Sequence, residues 1–233
     1  MTLRVAGLSK RFGPTTALRD AGFTAPAGAV VGVIGPNGSG KSTLLACVAG
    51  LVRADAGEVR LGDRPLDLRA IRATIFFLPD GITPWAEHRV DAVLEDWRRL
   101  QGRTADEAHR WVEAFSLGTL LRSRVQELSK GERKRLLLAV ALLAAQPILL
   151  LDEPFDGLDL RQTREVALVL RAVAASGRTI VMSLHQLGDA ERVCDQLALL
   201  DAGRIVAEGS LDALRAQAGM PGAPLDEVFL ALV

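Results

Sequence analysis

Apolar and polar positions divide the chain into three unlike stretches. Up to about residue 78, short runs of β type dominate. Residues 3–8, 18–24 and 29–34 read as strands, with Pro26 and Gly28 as turn punctuation between the last two, and residues 57–61 and 74–78 read as further strands. A glycine-rich loop follows the third run, and KSTLLACVAG at residues 41–50 has helical character. From about residue 84 to 126 the pattern turns charged and amphipathic, with Trp85, Trp97 and Trp111, and predicts several helices forming an insertion punctuated by Pro84 and Gly118. A helix then runs from 130 to about 145 and is stopped by Pro147, ahead of the continuous apolar strand 148–151. Helix and strand recur through strand 178–183 and the paired runs 196–201 and 204–207, turned at Ala202-Gly203, and residues 212–233 form a short helical tail. The alternation predicts an α/β fold with a mostly parallel sheet.

Two motifs sit where this pattern gives them mechanical sense. Gly35-Pro36-Asn37-Gly38-Ser39-Gly40-Lys41-Ser42-Thr43 matches G-x-x-x-x-G-K-[ST] between a predicted strand and a predicted helix. Its glycines let successive backbone N–H groups turn onto phosphate oxygens, while the following helix aims its positive end at the same anion. Lys41 then neutralises β- and γ-phosphates, and Ser42 offers a hydroxyl oxygen to Mg²⁺. Ile148-Leu149-Leu150-Leu151-Asp152-Glu153-Pro154 is an apolar strand ending in two carboxylates. Side-chain alternation near the strand end aims them differently, Asp152 at the metal through water and Glu153 at the attacking water as general base.

Composition changes the picture mainly by exclusion. The 233 residues suffice for one large α/β domain with an embedded subdomain. Lys plus Arg and Asp plus Glu number 28 each, so no basic excess points to nucleic acid. Cys47 and Cys194 each stand alone within a predicted helix, without metal-ligand or CxxC spacing, and read as buried free thiols of a reducing cytosol. The start, MTLRVAGLSKRFG, has no apolar run long enough for a signal peptide, and the longest apolar stretch, residues 136–145, is too short to span a bilayer. Work at a membrane would need another polypeptide to supply the span. No internal repeat and no second glycine-rich loop is visible, so the chain carries one nucleotide site's worth of motifs.

Leu128-Ser129-Lys130-Gly131-Glu132, followed by Arg133 and Lys134, resembles the LSGGQ-type signature of the ABC ATPase superfamily. It lies shortly before the Asp152-Glu153 strand, at a helix start where Ser129 can cap and N–H groups can meet an anion. With Gly157-Leu158-Asp159 and His185 the resemblance extends over nearly the whole chain. It implies a P-loop NTPase (RecA-like) core with a mostly parallel sheet, an N-terminal antiparallel β subdomain and an inserted α-helical subdomain at about 84–145, all within one nucleotide-binding domain, 1–233. It further implies an ATP-hydrolysing motor subunit of a membrane transporter, using ATP and Mg²⁺. The partners implied are a second ATPase subunit, as a homodimer, and a membrane-spanning permease subunit. Nucleic acid and a direct membrane span are not expected, and the place of work is the cytoplasmic face of the membrane. A soluble ABC-type ATPase of repair, translation or cluster assembly is the alternative. A nucleotide-binding regulator without turnover is a third reading that rests on Asp80 alone, and Glu153 and His185 stand against it.

By residue, the resemblance places Phe12 in a stack on adenine, with a core phenylalanine as the alternative. Ser129, Lys130, Gly131 and Glu132 reach the partner's nucleotide in trans. Asp159 lies at the interface between subunits, and His185 contacts the γ-phosphate. His88 and His109 read as surface or packing residues. The chain departs from the family at Asp80, where Gln is usual. There Asp80 either keeps a metal-linked role or is a loop carboxylate facing solvent. Lys130 replaces the first signature glycine and Glu132 the usual Gln, while Gly131, the glycine expected to approach phosphate most closely, is kept.

Overall fold

A computed structural model of the protein describes residues 1–83 and 85–233. Pro84, expected to open the helical insertion, lies outside the described residues. Leu3–Phe12 (β1), Thr15–Ala25 (β2), Ala56–Leu61 (β4) and Arg64–Pro65 (β5) form a four-stranded sheet in the order β2-β1-β4-β5, paired antiparallel throughout. The second sheet contains Val30–Ile34 (β3), Ile75–Leu78 (β6), Ile148–Asp152 (β7), Thr179–Leu184 (β8), Gln196–Asp201 (β9) and Arg204–Gly209 (β10). Its order is β10-β9-β3-β8-β7-β6, parallel except for the β9–β10 hairpin.

The central strands β3, β7 and β8 are buried along their whole length, which is why β3 and β7 (up to Asp152) read as apolar runs, while β8 carries buried Thr179 and Ser183. Their alternation feeds two cores. Ile148, Leu150, Val31, Val33 and Val181 pack toward Lys41–Val48 (α1) and the antiparallel sheet. Leu149, Leu151, Ile180 and Met182 pack on the opposite face with Lys130–Leu143 (α5) and Leu160–Ala175 (α6). Val90–Leu100 (α3) and Ala105–Ala114 (α4) pack against α5 as the expected helical insertion.

Several boundaries differ from the sequence expectation. The first two strands are longer, because β1 and β2 stay paired out to Phe12 and Thr15. Leu68–Thr74 (α2), capped by Asp67, is a seven-residue helix whose short pattern carries little periodicity, and it takes Thr74 out of the expected strand. Cys194 is not helical; it sits just past Leu187–Val193 (α7). The tail resolves into Leu211–Gln217 (α8) and Leu225–Leu232 (α9), with Leu214, Leu225 and Val228 buried in the larger core. Among the described residues no helix is long and apolar enough to cross a membrane.

Candidate functional site

The carboxyl ends of the parallel strands converge on the glycine-rich loop, as open parallel sheets place their sites. The loop leaves β3 and is held from beneath by the β9–β10 turn, where Gly203 N–H donates to Ser39 O at 2.9 Å. Gly40 is the N-cap of α1 at φ 109°, and a Cβ there would stand 2.6 Å from Ala17 O, so the backbone both needs the left-handed region and passes too close to β2 for a side chain. No side chain caps α1. Its first N–H groups, which have no intrahelical partners, therefore face outward uncapped.

Lys41 folds back over the loop. Its Nζ donates to Gly35 O at 2.7 Å and Pro36 O at 3.1 Å, and the residue is only 6% exposed. Burial lowers its pKa below the ordinary value, while the Glu153 and Asp152 carboxylates act in the opposite direction. Ser39 Oγ is buried without a hydrogen-bond partner among the described residues. A cavity of about 260 Å³ runs from Thr15, Thr16 and Ala17 of β2 across Asn37, Gly38 and residues 40–43 to Glu153. An uncapped helix start, an ammonium, the hydroxyl-bearing Ser42 and Thr43 and a carboxylate residue on one cavity fit a polyphosphate with a hard cation.

At the end of β7, Asp152 is buried and accepts a 2.5 Å hydrogen bond from Ser183 Oγ. Ser183 Oγ in turn accepts from Glu153 N–H at 2.9 Å. Glu153 adopts φ 47°, a left-handed conformation that costs a non-glycine residue about 1–3 kcal/mol and is kept only when its surroundings over-determine it. That turn separates the two carboxylates, which simple alternation would also place on different sides. His185, directly after β8, puts Nδ1 3.5 Å from Glu153 Oε2.

The expected site residues do not all meet. Ser129, Lys130, Gly131 and Glu132 line no part of the cavity holding Lys41 and Glu153, and neither does Asp159. Ser129 caps α5 in a reciprocal box: its Oγ accepts from Glu132 N at 3.3 Å, and the Glu132 carboxylate accepts from both the N–H and the hydroxyl of Ser129 at 2.8 Å. Those bonds lower the Glu132 pKa, the backbone one contributing most. Gly131 has a local reason to be glycine: a Cβ would stand 2.8 Å from Gly157 O, so the signature turn lies directly on the loop after β7. Lys130 reaches the same loop, pairing with Asp156 at 2.6 Å. Asp159 caps α6 by accepting from Gln162 N at 2.8 Å.

Phe12 is half exposed and belongs to neither core; its register partner across the hairpin is Thr15, on the cavity wall. His88 and His109 are exposed, as expected of surface residues. Asp80 does not face solvent unpartnered: Lys134 Nζ donates to its Oδ1 at 2.7 Å. Sequence reasoning missed Lys134, Ser183 and the residues from Thr15 to Ala17. Nothing local marks the first two, whereas the last three could have been suspected from their position just after Phe12-Gly13.

The ABC transporter family model matches residues 18–156. Daunorubicin resistance ATP-binding protein DrrA3 of Streptomyces coeruleorubidus is 34% identical over 223 residues, covering 93% of this chain and 71% of that one. Nod factor export ATP-binding protein I of Burkholderia lata is 37% identical over 215 residues, covering 89% and 70%. A solved ATP-binding subunit of an ABC transporter superposes with a TM-score of 0.89 at 30% identity, covering 100% of this chain and 99% of that one. With motifs, strand order and these likenesses in agreement, the chain belongs to the ABC transporter family as a subunit that binds and hydrolyses ATP to power transport.

Proposed function

We propose that residues 1–233 act as one nucleotide-binding unit, and that two copies close over two ATP molecules to drive a separate membrane-spanning permease from its inner face. One copy of each motif per chain supports a two-fold pair, since the signature segment lies off the chain's own Lys41 cavity and is free to meet a partner's nucleotide. In each site the N–H groups of residues 35–43 (Gly35, Pro36, Asn37, Gly38, Ser39, Gly40, Lys41, Ser42, Thr43) would cradle the phosphates, and Lys41 would exchange its loop carbonyls for phosphate oxygens. The exposed ring of Phe12 would stack on the base. Ser129 and the start of the partner's α5 would close on the γ-phosphate, with Asp159 at the subunit boundary.

Mg²⁺ supplies charge neutralisation across the β- and γ-phosphates when bound. Its donors here would be the Ser42 hydroxyl and the Asp152 carboxylate, hard oxygens of the kind that cation prefers, the second oriented by Ser183. Glu153 would take the proton of the attacking water, and His185, within 3.5 Å of it, would hold that carboxylate and the γ-phosphate in one arrangement. Relatives named for daunorubicin resistance and Nod factor export favour an export system.

The observation that carries this reading is that Lys41 and Glu153 share one cavity at an uncapped helix start. The test is steady-state ATP hydrolysis by wild type and Glu153→Gln, with light scattering in ATP. We expect turnover in wild type, a loss of at least about 100-fold in the variant, and a persistent ATP-bound dimer of the variant. A wild type that binds ATP but neither hydrolyses it nor dimerises would refute the reading.

A further inference from the structure

We infer that Lys134 is a positioning residue for Glu153, and that Asp80 serves as the counter-ion of Lys134 instead of as a metal ligand. This rests on Glu153 being the general base. Lys134 lies on the second turn of α5, with its side chain 8% exposed. A buried ammonium is tolerated only when paired and hydrogen-bonded. Lys134 Nζ makes two such bonds: one to Asp80 Oδ1 at 2.7 Å and one to the main-chain oxygen of Glu153 at 2.9 Å.

The second bond gives the pair its purpose. The left-handed backbone of Glu153 has to be held from both sides, and its two peptide groups are tied to different elements. Its N–H donates to Ser183 on β8, and its carbonyl accepts from Lys134 on α5 and from Asp156 N–H at 3.2 Å. Removing the Lys134 bond would leave the carbonyl closing the four-residue turn 153–156 with one long bond, freeing the Glu153 side chain to swing. It would also leave Asp80, whose carboxylate comes within 4.8 Å of those of Glu153 and Asp156, as an uncompensated like charge beside the base. Asp80 stands on the loop after β6 and Lys134 is 54 residues further on, in the helix that begins with the signature segment. One ammonium therefore joins that loop, the signature helix and the strand end that carries the base.

A metal role and a counter-ion role for Asp80 make opposite predictions. The full-length protein is assayed as wild type, Glu153→Gln, Lys134→Gln, Lys134→Arg, Asp80→Asn and Asp80→Asn/Lys134→Gln. Measured quantities are kcat, KM for ATP, the Mg²⁺ concentration for half-maximal turnover, and the mass in ATP by light scattering. We expect Lys134→Gln to lower kcat by about tenfold or more with KM within about threefold, and to accumulate the ATP-bound dimer as Glu153→Gln does. Arg at 134 should recover most of the loss. Asp80→Asn should lower kcat less, without shifting the Mg²⁺ requirement, and the double variant should be no slower than Lys134→Gln, as coupled residues behave.

Unchanged kcat in folded Lys134→Gln, a roughly tenfold higher Mg²⁺ requirement in Asp80→Asn, or multiplying losses in the double variant would each overturn the inference. If Lys134→Gln does not fold, the neutral double variant decides by the same kcat and KM criterion. Absence of turnover in wild type refutes the general-base reading and the Lys134 role with it, whereas normal wild-type turnover beside an indifferent Lys134 refutes the second alone.

Discussion

Two helix starts in this molecule, which the proposed function gives the same chemical task, are finished differently. The start of α1 follows a glycine N-cap with no side-chain cap, beside a buried lysine bonded to two loop carbonyls. The start of α5 is closed by its own Ser129–Glu132 box, with a carboxylate already seated over the N–H and hydroxyl of Ser129. Both ends carry the positive pole that attracts an anion. At α1 that pole is left for a ligand. At α5 an internal anion occupies it first, so in the proposed pair a partner's phosphate would have to compete with Glu132. An uncapped end gives up local helix stability for affinity, and a capped one stands by itself and engages late. That order suits a segment that is to meet nucleotide only when two subunits close.

The comparison breaks most sharply at Lys41. Lys41→Ala removes the Lys41 ammonium from the α1 cavity and should weaken ATP binding by about 100-fold or more, read by equilibrium titration with a fluorescent ATP analogue. Stability should change little, since the loss of a buried ammonium is offset by the buried Gly35 carbonyl it leaves unpaired, while Pro36 is exposed to water. Affinity within threefold of wild type would mean that the backbone alone holds the phosphates.

Glu132→Gln sharpens it at α5. The amide keeps an oxygen for Ser129 but loses the charge, so the ATP concentration that half-dimerises the protein should fall about two- to fivefold. A rise would show that the carboxylate helps closure. The pH dependence carries a sign. The folded pKa of Glu132 is depressed, so its stabilising contribution is present above the ordinary value of 4.5 and lost as pH falls through the lower folded value. The Tm difference between wild type and variant should thus stay level above pH 5 and close below it.

Lys130→Ala should have the smallest effect. Lys130 is two-thirds exposed, and its bond to Asp156 is of the surface kind. We expect Tm at pH 7 to drop by no more than about 3 °C. The Asp156 pKa is held down chiefly by its hydrogen bond to Lys130, so this contribution too exists above the ordinary aspartate value of 3.8 and fades as pH falls through the folded one. A larger loss at pH 7 would make Lys130, and not Gly131, the main contact between signature and strand end.

The sequence by itself determined the sheet and the two ends that matter most. Strands β3 and β7 are legible because burial on both faces demands unbroken apolar runs, and a glycine-rich loop or an acidic pair directly after such a run has few other uses. Those are local signals, in which residues a few positions apart carry the whole meaning. What only the tertiary structure decided are the relations between distant positions. Asp80 read as a metal donor or a solvent carboxylate, and only the fold shows the lysine 54 residues away that pairs with it. Phe12 was open between adenine stack and core until the hairpin placed it half exposed beside Thr15. Gly131 pointed to phosphate, and the packing of α5 onto Gly157 gave it an additional, structural reason. A charge or a glycine acts through whatever stands within a few ångströms of it, and for residues far apart along the chain that neighbourhood exists only once the chain has folded.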